Sequence, residues 1–218
     1  MNPASSLGPR LDALYELVVQ IQQKSPYPVI WDCCCDHGYL GIKILAGELC
    51  EMLVFVDQVP HIIEQLGTRL APFSNERHQL IASDAGQLTL DQQQRHLLIL
   101  AGVGGERSVD IINAIEQKNP STQIDYIFCP STSQNALREY LAAKDFALLT
   151  EMLVYEKKRY YEILYVQGKA ESKGLSAVPL SCNVWDENDP QQQHYLAKLK
   201  QHELLKKLSV KDSADGRN

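Results

Sequence analysis

The chain has 218 residues, 44% of them hydrophobic and 22% charged, with a formal net charge of −6. That length supports one large α/β domain plus an appendage, with a core that needs neither disulfide nor metal. No apolar run nears the roughly 18–20 residues of a membrane span, and the N-terminus shows no basic or apolar signal region, so the expectation is no membrane and a cytoplasmic location. The six cysteines are then expected to be reduced. An RNA binder is usually basic on at least one face. Lys198, Lys200, Lys206, Lys207 and Lys211 offer such a patch, with a solvated helix face as the plain alternative.

Arg10 to Lys24 carries apolar residues at a helical period and is ended by Pro26 and Pro28. Pro28 to Cys33 reads as a short buried strand, Gly38 to Leu49 as a helix, and Met52 to Asp57 as a second strand. Pro60 to Leu70 reads as a helix with proline in its first turn, and His78 to Asp84 as a third strand. Leu97 to Ala101 is a fourth, followed by the glycine-rich Gly102-Val-Gly-Gly105 and a helix to about Gln117. Asp125 to Pro130 is a fifth strand, and Ser131 with Gln134 has the capping-box spacing that opens a helix to about Ala143.

Phe146 to Tyr155 and Tyr160 to Val166 are β-rich and separated only by Glu156-Lys-Lys-Arg159. So short a gap permits an antiparallel hairpin and no crossover helix. The chain therefore reads as five β–α units closed by a hairpin, a doubly wound, mostly parallel seven-stranded sheet with an antiparallel last strand. Plain dinucleotide-binding folds lack that terminal hairpin; methyltransferases that use S-adenosylmethionine typically have it, which is an analogy of fold. Residues 1–167 are expected to form this Rossmann-like domain, and 168–218 an irregular linker, a helix from Pro190 to Leu208 and a disordered tail.

Ligands of an open parallel sheet bind beyond the carboxyl ends of its strands, where the winding reverses. Those ends carry Asp32 and Asp36 after the first strand, Asp57 at the second and Asp84 at the third. An acid at the tip of the second strand suits a ribose diol, which assigns Asp57; the alternative is a solvated loop aspartate. Asp84 suits the adenine amino group, with a helix N-cap as its alternative. Cys34 stands where a nucleotide loop usually has glycine, and Gly38 opens the following helix.

The run Cys33-Cys-Cys35 lacks the spacing of a zinc site or a Cys-x-x-Cys redox pair. In an extended segment Cys33 and Cys35 diverge from Cys34. A thiol near a helix N-terminus could act as a nucleophile, but small residues filling a nucleotide loop is the preferred reading, with no metal. Gly102-Val-Gly-Gly105 would let a flat substrate approach a methyl donor, or would simply make a tight turn.

Asp32-Cys-Cys-Cys-Asp-His-Gly-Tyr-Leu-Gly41 resembles Asp-Ile-Gly-Ser/Thr-Asp-His-Gly/Ala-Tyr-Leu-Pro, a motif of the bacterial tRNA (adenine-22-N1)-methyltransferases, TrmK. Leu100-Ala-Gly-Val-Gly-Gly105 is similar to that family's Ile-Ala-Gly-Met-Gly-Gly, and Tyr126-Ile-Phe-Cys-Pro130 to its Leu-Ile-Leu-Gln-Pro-Asn. Leu137-Arg-Glu-Tyr-Leu141 and Arg159-Tyr-Tyr-Glu-Ile163 resemble its later motifs, so the similarity covers about Arg10 to Val166. The departures are Cys34 for glycine, Gly41 for proline, and Cys129 and Ser131 for the residues flanking Pro130.

The resemblance implies a Rossmann-like methyltransferase that uses S-adenosylmethionine and acts on tRNA, with a helical C-terminal extension. It implies cofactor contacts from Asp32, Cys34, Gly38, Asp57, Gln58, Asp84, Ala85, Ala101 and Gly102. Asp36 is the candidate catalytic carboxylate, with His37 and Tyr39 for orientation or stacking, and Gly104, Gly105, Pro130, Lys198 and Lys200 are substrate candidates. Two other classes stand beside this one. They are an S-adenosylmethionine enzyme acting on a small molecule or protein, and a catalytically degenerate RNA-binding or interaction protein of the same fold.

Overall fold

Leu14, Leu17, Val18 and Ile21 form the buried stripe of the first helix, α1 (Pro9–Lys24), which starts with proline in its first turn. The computed structural model describes residues 7–168, 175–186 and 188–201. Five parallel strands follow α1: β1 (Val29–Cys33), β2 (Met52–Asp57), β3 (His78–Ala82), β4 (Arg95–Ala101) and β5 (Gln123–Cys129). Between them lie α2 (Tyr39–Ala46), α3 (Pro60–Leu70) and α4 (Gly105–Lys118); α5 (Gln134–Ala143) leads to the hairpin β6 (Ala147–Glu156) and β7 (Arg159–Gln167). The sheet order is β3-β2-β1-β4-β5-β7-β6, so the winding reverses between β1 and β4. β7 runs antiparallel between β5 and β6.

β2, β4 and β5 are buried along nearly their whole length, because helices cover both faces and their sequences are apolar without alternation. Side chains alternate across the sheet, which divides the core in two. Ile30, Phe55, Leu97 and Ile99 pack with Leu14 and Val18 of α1 on one face. Trp31, Val54, Leu98 and Leu100 pack with Ile111 and Ile115 of α4 and Leu137 of α5 on the other.

The structure corrects several expectations. β3 and β4 are joined through a short 3-10 turn (Ala85–Gln87) and no α-helix, so one of the five expected units lacks its helix. α2 stops at Ala46, with Gly47 at its C-cap, short of Leu49. Ser131 does not cap α5; Ser133 occupies the N-cap with φ 54 and makes no side-chain cap bond. The Ser131 amide donates instead to the Val103 carbonyl at 2.9 Å, because the loops after β4 and β5 are stitched together.

The β6–β7 turn is made by Lys157 and Lys158, both left-handed with φ 49 and 63. A two-residue hairpin with that geometry favours Asn-Gly, and each lysine there costs about 1–2 kcal/mol. The hairpin also anchors the segment that comes after it. Arg138 is fully buried and donates to Glu162 at 2.8 Å, to Glu151 at 2.7 Å and to the Pro179 carbonyl at 3.1 Å. Leu148 N–H donates to the Ser176 carbonyl at 2.9 Å, which lays the returning chain along the outer edge of β6. Residues 190–201 are helical, and Tyr195 packs edge-on against Tyr160 with ring centroids 5.2 Å apart. Leu204, Leu205, Leu208, Lys206, Lys207, Lys211 and the tail expected to be disordered lie outside the described residues. Among the described residues no helix is long and apolar enough to cross a membrane.

Removing one member of a buried ion cluster leaves the others as uncompensated charge. Arg138→Ala is therefore expected to cost about 3–5 kcal/mol of stability, measured by urea unfolding; a loss under about 1 kcal/mol would contradict the role given to this cluster.

Candidate active site

Three residues of the loop after β1 are left-handed: Cys34 at φ 57, Asp36 at φ 49 and Gly38 at φ 66. This coils the chain tightly over the end of β2. Cys35 N–H donates to the Val56 carbonyl at 3.1 Å, and Asp36 N–H donates to Asp57 Oδ2, also at 3.1 Å. Val59 N–H donates to the other oxygen, Oδ1, at 3.0 Å. Glycine suits the start of α2, since φ is 66 at Gly38 and a Cβ there would lie 2.6 Å from the Leu66 side chain, which would have to shift.

Asp32 is buried beneath this loop and accepts a hydrogen bond from Gly41 N–H at 3.0 Å. Burial pushes its carboxyl up to about 7; the Gly41 bond opposes the rise and the charge of Asp57 adds to it. The glycine at 41 has a structural reason, because a Cβ would lie 2.7 Å from Asp32 Oδ2 and run into the Phe55 ring.

Cys33 and Cys34 both pack toward the α4 side of the sheet, while Cys35 joins the α1 side. The expectation that Cys34 would diverge from both neighbours is corrected: its left-handed backbone breaks the extended alternation on which that expectation rested. Burial raises all three thiols, Cys33 well above its usual range, Cys34 to about 11, and Cys35 upward as well. None of them has the lowered pKa of a nucleophilic thiol. Among the described residues no three histidine, cysteine or acidic side chains are grouped to hold a metal ion.

A cavity of about 130 Å³ opens beyond β1, β2 and β3, lined by Cys34, Val56, Asp57, Gln58, Ser83, Asp84, Ala85, Val103 and Arg107. It brings together Cys34, Asp57, Gln58, Asp84 and Ala85 of the predicted set. Asp57 uses one lone pair of each oxygen on the loop amides, and a carboxylate has about four such sites. The remaining pair can accept a diol. Asp84 N-caps the 3-10 turn through Gly86 N–H at 2.9 Å, and its second oxygen accepts from Arg107 at 2.7 Å. The Gly86 bond and then Arg107 hold its carboxyl below the usual value.

Arg107 is the charged residue of this cavity that the sequence reading missed. It lies in the first turn of α4, where the helix dipole disfavours a cation. That misplacement was the available signal, and the compensating carboxylate could be found only in three dimensions.

The other candidates do not line the cavity. Asp36 and His37 are exposed, with side-chain accessibilities of 69% and 51%, and lie 3.9 Å apart. Tyr39 leans away toward α3, between the His37 ring at 5.6 Å and the Arg69 guanidinium at 5.2 Å. Ala101 ends β4, and Gly102 follows with φ 91. A Cβ at Gly104 would lie 2.9 Å from Thr132 Oγ1, and one at Gly105 would strike the Ser133 carbonyl. These two glycines allow the close packing of the β4–α4 and β5–α5 loops, as the tight-turn alternative requires. Pro130 is buried in the second of those loops. Arg10, which was not anticipated, lies over this end of the sheet, where its charge opposes the rise that burial gives the Cys129 thiol, and its guanidinium stands 5.1 Å above the Tyr161 ring. Lys198 and Lys200 are exposed on the C-terminal helical segment.

With β7 inserted antiparallel beside β5, the sheet departs from plain dinucleotide-binding domains and has the Rossmann-like fold of S-adenosylmethionine-dependent methyltransferases. Residues 7–164 match the family described as "Methyltransferase domain", and the chain belongs to that family. No curated protein sequence matches the chain. Among solved structures, the M1A22 tRNA methyltransferase TrmK of B. subtilis is 19% identical with a TM-score of 0.70, over 98% of this chain and 89% of its own. TrmK of M. capricolum, in complex with S-adenosyl-homocysteine, is 19% identical with a TM-score of 0.65, over 88% and 85%. Magnesium protoporphyrin IX methyltransferase of Synechocystis with bound SAM is 14% identical with a TM-score of 0.57, over 73% and 78%. At such identities the likeness establishes the fold.

The Asp32 carboxyl is raised from an ordinary 3.8 to about 7, so between those values the folded protein keeps a proton that the unfolded chain has lost. Its contribution is full below about pH 4 and declines as pH rises to about 7, by up to about 1.4 kcal/mol per unit. Asp32→Asn should remove this component. Urea unfolding at pH 5 and pH 7 is expected to show the variant gaining on the wild type with rising pH; a constant difference would reject the assignment.

Proposed function

We propose that this chain is an S-adenosylmethionine-dependent methyltransferase that methylates N1 of an adenine in tRNA, at position 22. The observation that carries the cofactor part is the cavity at the carboxyl end of the sheet, which Asp57, with its lone pairs half used, lines together with Asp84, Gln58 and Ala85. The donor set suits a nucleoside: a diol acceptor at Asp57, an amine acceptor at Asp84 and apolar walls from Val56, Ala85 and Val103. S-adenosylmethionine, when bound, supplies a methyl group on a sulfonium. For the tRNA part, support comes from the motifs around Asp36-His-Gly-Tyr39 and Gly102-Val-Gly-Gly105 and from the likeness in fold to TrmK proteins.

In this reading Asp57 and Asp84 hold the nucleoside, and Arg107 gives up part of its bond to Asp84 when the amine arrives. Asp32 and Gly38 keep the loop in place, and Ala101 and Gly102 form the floor beside it. The acceptor adenine presents its N1 lone pair on the Watson–Crick edge and so must be taken out of its stack. Attack makes the ring cationic. The exposed carboxylate of Asp36 stabilises that charge and takes a proton from N6, with His37 oriented beside it. Positioning supplies the rest of the rate. Residues 1–167 carry this chemistry, and 168–218 serve the acceptor, with Lys198 and Lys200 on the exposed side. The net charge of −6 favours a second reading, the same chemistry on a small molecule.

Calorimetry with S-adenosylmethionine is expected to show binding, weakened at least tenfold (about 1.4 kcal/mol) in Asp57→Ala. Unchanged affinity would refute the role of Asp57, and no binding at millimolar ligand would sink both enzymatic readings. Cys34→Gly removes the thiol from the cavity wall and relaxes a left-handed position, so binding should tighten. Weaker binding in that variant would overturn the placement of the loop. Labelled methyl groups are expected on bulk tRNA lacking m1A; cofactor binding without such label would leave the small-molecule reading.

A further inference from the structure

The strand register makes the β6–β7 hairpin stand above the sheet. β7 pairs with β5 only from Leu164 to Gln167, Leu164 opposite Phe128, whereas β7 itself begins at Arg159. β5 ends one residue later, at Cys129. The hairpin therefore continues about four residues, roughly 13 Å, past the end of β5. Because β7 is antiparallel to β5, this overhang lies on the edge of the sheet that carries Asp32, Asp57 and the cavity. β7 is three strand positions from β1, about 14 Å, and the ends of β4 and β5 lie between.

The overhang is braced on both sides. From one side, Arg10 N–H donates to Glu156 Oε1 at 3.3 Å, and its guanidinium pairs with the same carboxylate at 3.8 Å. From the other, Trp185 and Tyr195 close on the Tyr160 ring at 5.1 and 5.2 Å. At the tip, Lys157, Lys158 and Arg159 are exposed, and none of them has an ion-pair partner among the described residues. Turn geometry does not ask for these residues, since two left-handed positions favour asparagine and glycine over lysine. Glu156, the nearest acid in the hairpin, is already engaged by Arg10. Tyr195 reaches the Tyr160 carbonyl at 3.4 Å. Lys198 and Lys200 follow Tyr195 by about 4.5 and 7.5 Å of helix rise, and both are exposed. Asp189, at the start of that helix, is spent on the Gln191 and Gln192 amides.

We propose that the tip Lys157-Lys158-Arg159, continued by Lys198 and Lys200, is the surface on which the phosphate backbone of the acceptor RNA docks. This rests on the tRNA reading given above. A rigid basic projection beside the acceptor end of the sheet explains how a chain of net charge −6 can hold a polyanion. Phosphate contacts of this kind position the nucleic acid, and base contacts near Asp36 select it.

The test uses the full chain and bulk tRNA, with affinity measured by fluorescence anisotropy across a salt series. One variant combines Lys157→Asn, Lys158→Gly and Arg159→Gln, which relaxes the turn while removing its charge; a second, Lys157→Arg with Lys158→Arg, keeps the charge. The first should lose at least tenfold in tRNA affinity near 0.1 M salt, with the slope of log K against log salt reduced by about 2, and should bind S-adenosylmethionine as the wild type does. The second should retain both affinity and slope. Wild-type affinity and slope in the first variant would overturn the docking surface alone. Displacement of tRNA by polyglutamate at equal charge would overturn it in favour of an acidic protein partner. A wild type that binds no tRNA at all would remove the tRNA reading and this surface with it.

Discussion

One buried carboxylate ties the first loop to the second strand. Asp57 takes the amide of Asp36 on one oxygen and the amide of Val59 on the other, so the start of α3 and the loop before α2 share a single anchor. The loop can reach that anchor only by passing through left-handed conformations at Cys34, Asp36 and Gly38. Those conformations place Cys34 in the cavity wall, bury Asp32 beneath it and leave Asp36 and His37 facing solvent. The raised carboxyl of Asp32 is a consequence of the same burial. A left-handed cysteine is an unfavourable choice in isolation, and it is held by the hydrogen bonds on either side of it.

The rest of the architecture gives this loop its surroundings. Reversal of winding between β1 and β4 leaves a crevice at the carboxyl edge, and the antiparallel β7 turns the far half of the sheet into a raised wall. Arg138, buried between Glu151 and Glu162, ties that wall to the chain beyond it. The cavity and the wall thus lie on opposite sides of the β4 and β5 ends, where Gly102 and Arg10 meet. The cavity on one side and a basic, aromatic-braced projection on the other flank the ends of β4 and β5.

Much of this was legible along the chain. Continuous apolar runs such as Leu97 to Leu100 marked the buried parallel strands, and the four-residue gap between the last two β-rich runs dictated a hairpin. The acids at strand ends were found by their position after such runs, and Asp57, Asp84 and Cys34 do share a cavity. The failures have physical causes. Ser131 and Gln134 have the spacing of a capping box, but the Ser131 amide is drawn to the β4–α4 loop, a contact with no local signal. Gly104 and Gly105 left open either a substrate approach or a tight turn, and the tight-turn requirement is visible only in the packing of the neighbouring loop against them.

The sequence by itself determined the order and type of the elements, because hydrophobic period and turn residues act within a few positions of one another. It also determined which acids end up at the carboxyl edge, since that depends on strand direction alone. Only the tertiary structure decided which of these groups meet. Arg107 finds Asp84, Arg10 finds Glu156, and Tyr160 finds Tyr195 across 23, 146 and 35 residues of chain. Such pairings depend on how strands are ordered in the sheet, and a local pattern carries no record of that order.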